Sequence, residues 1–180
     1  MSARDAIGRS SSERINEDGP GDRQPFLTTY RAVAACTREF GRLIDEVLQG
    51  VGAYAMTGIE EKPVVRQSPD RCIVQLGPVA LTLAWLQNSR DSVALGELLV
   101  VGWRGAVAKR AEYSPERART GPAALPAKEL WADVLVARAA DEASWVWHIP
   151  GNQEERWSST ELAARCVDRL RLAYTEAVAQ

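Results

Sequence analysis

The chain has 180 residues, 46% of them hydrophobic and 26% charged, which is the composition of one globular domain rather than of a disordered chain. Its formal net charge of -2 is too small to steer a polyanion and disfavours a globally basic nucleic-acid binder. The three cysteines (Cys36, Cys72 and Cys166) are odd in number, lack a CxxC spacing and sit in apolar segments, which argues for buried thiols and against a disulfide scaffold or a zinc site.

Residues 1 to about 24 are polar, charged and rich in serine and glycine, and predict a disordered tail ahead of one domain over 25–180. No apolar h-region of a secretory signal stands at the start. The longest apolar stretches, "PVALTLAWL" and "LLVVGW", fall short of the roughly 18 residues a membrane helix requires. The expectation is a soluble, cytoplasmic protein.

"FLTTYRAVAACTREFGRLIDEVLQGVG" predicts a helix. Val33, Phe40, Ile44, Val47 and Val51 recur at helical spacing, with Thr28 or Thr29 as cap and Gly50 and Gly52 placed to end it. Gly41 lies inside, at a cost of about 1 kcal/mol relative to alanine. The period then changes to that of strands: "KPVVRQ", "RCIVQLG", "VALTLAWLQN" and "SVALGELLVVGW" follow one another with connections too short for crossover helices, so neighbours should be antiparallel. Val79, Leu81, Leu83 and Trp85 share one face of the third strand. In the fourth, Val93, Leu95, Leu99, Val101 and Trp103 share a face, with Glu97 interrupting. The opposite faces (Ala80, Ala84 and Leu86, then Ala94, Gly96, Leu98, Val100 and Gly102) are small and apolar where a wet face should be polar. A cover is therefore expected: a helix, the sheet curling over itself, or a second copy of the chain.

Residues 105–128 lose periodicity and predict a long irregular loop of net charge +3, five basic residues against two acidic ones. "ELWADVLVARAADEASWVWHIP" reads either as a helix or as a hairpin around "ADEA"; valine and tryptophan favour the hairpin, with Trp145 and Trp147 on one face and Val146 and His148 on the other. In "RWSSTELAARCVDRLRLAYTEAV", Ser158 and Glu161 have capping-box spacing, and Leu162, Cys166, Leu170 and Ala173 continue one helix face. The predicted architecture is α+β: an antiparallel meander sheet of about 5–6 strands with long N- and C-terminal helices packed on it. This order of helix, strands, irregular middle, hairpin and helix is loosely similar to small bacterial secretion chaperones. The likeness lies in element order alone and no motif carries it; it implies a dimeric, acidic, non-enzymatic protein.

No stretch matches GxSxG, a phosphate-binding GxxxxGK[ST], HExxH or GxGxxG, and His148 is the chain's one imidazole. Catalytic residues, metal ligands and cofactors are therefore not assigned, and the expectation leans away from an enzyme. Glu97 among apolar neighbours is either an inward carboxylate or an edge residue that reaches water. Trp85, Trp103, Trp145, Trp147, Glu97 and Arg104 are the candidate ligand- or partner-binding residues, with core packing as the competing explanation for the tryptophans. The expected function is a non-enzymatic protein-interaction or adaptor domain, homodimeric or docked to another protein. The alternative is a small-ligand binder with a pocket between a curved sheet and the C-terminal helix.

Overall fold

The computed structural model describes residues 30–57, 62–87, 96–108, 127–140, 145–152 and 155–179. The expected tail, the Thr28/Thr29 cap, Val93 to Leu95 and residues 109–126 of the expected loop lie outside these. The α+β expectation holds: two helices lie on one face of an antiparallel sheet. The sheet has 7 strands in the order of the sequence, one or two more than the sequence predicts.

Helix α1 spans Tyr30–Ala55 and buries Ala32, Cys36, Phe40, Leu43, Ile44, Val47 and Val51, a stripe at three- and four-residue intervals. Gly50 and Gly52 do not end it, contrary to expectation. A Cβ on Gly50 would lie 2.8 Å from Val167 Cγ2, so this glycine lets the second helix approach α1 closely. Gly41, by contrast, has no atom within 4 Å of its Cβ position.

Strands β1 (Val64–Ser68), β2 (Arg71–Leu76), β3 (Val79–Leu86), β4 (Glu97–Arg104), β5 (Lys128–Ala139), β6 (Trp145–His148) and β7 (Arg156–Trp157) form the meander. The β2–β3 turn has two residues, with Gly77 at φ 53°, a conformation that glycine adopts without strain. Residues 130–138, ambiguous between helix and strand in sequence, lie within β5. Strand β7, for which the sequence carries no strand signal, adds a two-residue ladder to β6.

The registers Leu83↔Val100 and Trp85↔Leu98 turn Leu98, Val100 and Gly102 toward the helices and Glu97, Leu99, Val101 and Trp103 away from them. This reverses the face alignment expected between the third and fourth strands. The connection between them is long enough to leave the register open, and a one-residue slip exchanges every side chain between faces. Val79, Leu81, Leu83 and Trp85 do face the helices, joined by Cys72, Val74, Leu135, Ala137, Trp145 and Trp147 in a single core. Each fully buried aliphatic side chain there contributes about 1.5–3 kcal/mol relative to exposure.

Helix α2 (Ser159–Val178) closes the core with Leu162, Ala163, Cys166, Val167, Leu170 and Ala173. Its capping box forms as the sequence predicts: the Glu161 amide donates to Ser158 Oγ at 3.2 Å and the Ser158 amide to Glu161 Oε2 at 2.8 Å. A serine cap is worth about 1 kcal/mol. The Ser158 backbone N–H and then its hydroxyl hold the Glu161 carboxyl below its usual range. That contribution is present above the unfolded-state pKa and is lost as pH falls through the lower folded-state one.

Candidate functional site

The helix side of the sheet is a packed interior. Trp147, 1% exposed, meets the Trp85 ring edge-on with centroids 5.6 Å apart. Its indole N–H donates to Ser159 Oγ at 3.0 Å, and that hydroxyl donates to Glu39 Oε2 at 2.9 Å. One hydrogen-bonded chain thus ties β6, the first turn of α2 and α1 together. The Trp85 ring rests on Gly96, where a Cβ would lie 2.4 Å from it, and Trp131 rests on Gly102 at 2.3 Å. Arg169 of α2 pairs with Asp133 and lays its guanidinium 4.6 Å from the Trp131 centroid. Burial pushes the thiols of Cys36 and Cys166 up to about 12 and that of Cys72 to about 11, so all three are neutral and poorly nucleophilic near neutrality.

The tryptophan pair of "SWVWHIP" therefore faces packed side chains. Trp85, Trp145 and Trp147 belong to the core and Arg104 shares the parity of Leu98 and Val100, whereas Trp103 and Glu97 lie on the opposite, open face. The six candidate residues are divided between the two sides of the sheet. Glu97 is exposed and reaches water, as one of the two alternatives has it, but on an interior strand rather than at an edge. His148 sits beside Val136 on the open face, with Nδ1 3.2 Å from the Ile149 carbonyl. Among the described residues no group of three or more His, Cys, Asp or Glu side chains could hold a metal ion, and no helix is long and apolar enough to cross a membrane.

The open face is the chemically unusual surface. Its β2–β3 end is closed. Trp103 Nε1 donates to Thr82 Oγ1 at 3.0 Å, and the buried Gln75 amide receives the Val107 and Ala108 N–H groups at 2.8 and 3.2 Å while donating to the Gly105 carbonyl at 3.0 Å. This clasp pins the chain leaving β4 against β2. Ala80, Thr82, Ala84 and Val101 on this face are buried.

Over β4 to β6 the same face is apolar and open. Strand β5 points Leu135 and Ala137 inward, yet its outward row reads Leu130, Ala132, Val134, Val136 and then Arg138. Leu130 is 38% exposed, Val134 39% and Leu86 42%. Leu99 stands beside Val134, Val101 beside Ala132, and Glu97 between Leu86 and Val136. A register shift between Gly102 and Trp103 sets Glu129 opposite Trp103 at the lower end of this row. The sequence reading missed Leu130 and Val134. Their signal is a segment whose two alternating sets are both apolar, which marks a strand with no wet face.

Comparison of the chain with protein-family models, curated proteins and solved structures finds no match, so the likeness of element order to secretion chaperones gains no support from them.

Proposed function

We propose that the chain is a non-enzymatic protein-interaction domain that works as a homodimer, with the open face over β4 to β6 as its docking surface. One observation carries this reading: β5 lies in the interior of the sheet, between β4 and β6, and presents apolar side chains on both sides. A monomer gains nothing from leaving Leu130, Val134 and Leu86 in water, whereas a partner of similar character removes their area from water at about 25 cal/mol per Å².

The edges support the face as the contact surface. Strand β1, exposed along its whole length, carries Arg66 and follows Lys62 and Pro63, the charges and proline that guard an edge against strand addition. At the other edge β7 is two residues long. Self-association through edges is disfavoured by both.

Sedimentation velocity over a range of concentrations tests the reading. The wild-type protein should pass from monomer to dimer as concentration rises. Val134→Lys should remain monomeric where the wild type is dimeric, with the unfolding midpoint measured at monomer concentrations unchanged, because Val134 is exposed. A wild-type monomer at every concentration reached overturns the homodimer.

A further inference from the structure

We draw no further inference here: the strongest candidate, the patch at the sheet edge where β5 runs past the end of β6 beside Arg169 of α2, carries none because nothing in the structure shows what occupies it.

Discussion

Trp147→Ala is expected to lower the stability of the folded chain by about 3–5 kcal/mol, the range for removing a fully buried tryptophan. The indole is 1% exposed and meets Trp85 edge-on at 5.6 Å, so its removal leaves a cavity in the core. It also takes the donor from Ser159 Oγ and loosens the chain that runs on to Glu39. Urea denaturation measures the effect: the midpoint should fall with little change in slope, because the unfolding reaction remains the same. Trp147→Phe restores part of the volume but not the hydrogen bond, and should recover a part of the loss. A Trp147→Ala protein as stable as the wild type would mean that β6 is not held in the core.

The second large effect is expected at Gly102. A Cβ there would lie 2.3 Å from the Trp131 ring, closer than any side chain tolerates. That ring also carries the Arg169 guanidinium, itself tied to Asp133, so it has little freedom to move aside. Gly102→Ala should therefore cost about 1–3 kcal/mol by overpacking, in spite of the entropy that alanine removes from the unfolded chain. The cause is separable by a double-mutant cycle measured by denaturation. In a Trp131→Ala background the collision is gone, and the alanine at 102 should be neutral or slightly stabilising. An equal cost in both backgrounds would place the strain elsewhere.

The parts of this molecule that were legible in sequence are those written in local spacing. The S-x-x-E box at Ser158 and Glu161 marks the start of α2 because both partners lie within one helical turn. The antiparallel pairing of β1, β2 and β3 follows from two-residue connections that forbid crossovers. What was not legible depends on contacts between distant segments. Which way β4 turns is set by the pairing Leu83↔Val100 across a long connection, and alternation alone cannot supply it. Gly50 looked like a helix end because its reason for being small, Val167, lies more than a hundred residues away. The Gln75 clasp joins side chain to backbone across 30 to 33 residues, a kind of bond with no sequence signature. The candidate surface was half legible. Trp103 and Glu97 were singled out and do lie on the open face, but the ridge they border emerges only once residues 130–138 are known to be strand.

That ridge carries the functional account, and placing a thiol on it tests the account most directly. The chain's own cysteines are all buried, which leaves an introduced surface cysteine as the reactive one. Val134→Cys sits in the middle of the open face, whereas Leu172→Cys, on the outer side of α2, is 62% exposed in the wild-type residue and remote from the open face. Treated with a short thiol-to-thiol cross-linker at concentrations where the protein is dimeric, Val134→Cys should be captured as a covalent dimer and Leu172→Cys should not. Capture at Leu172 and not at Val134 would contradict the account, because the copies would then meet through their helices and the apolar face of β5 would need a different explanation.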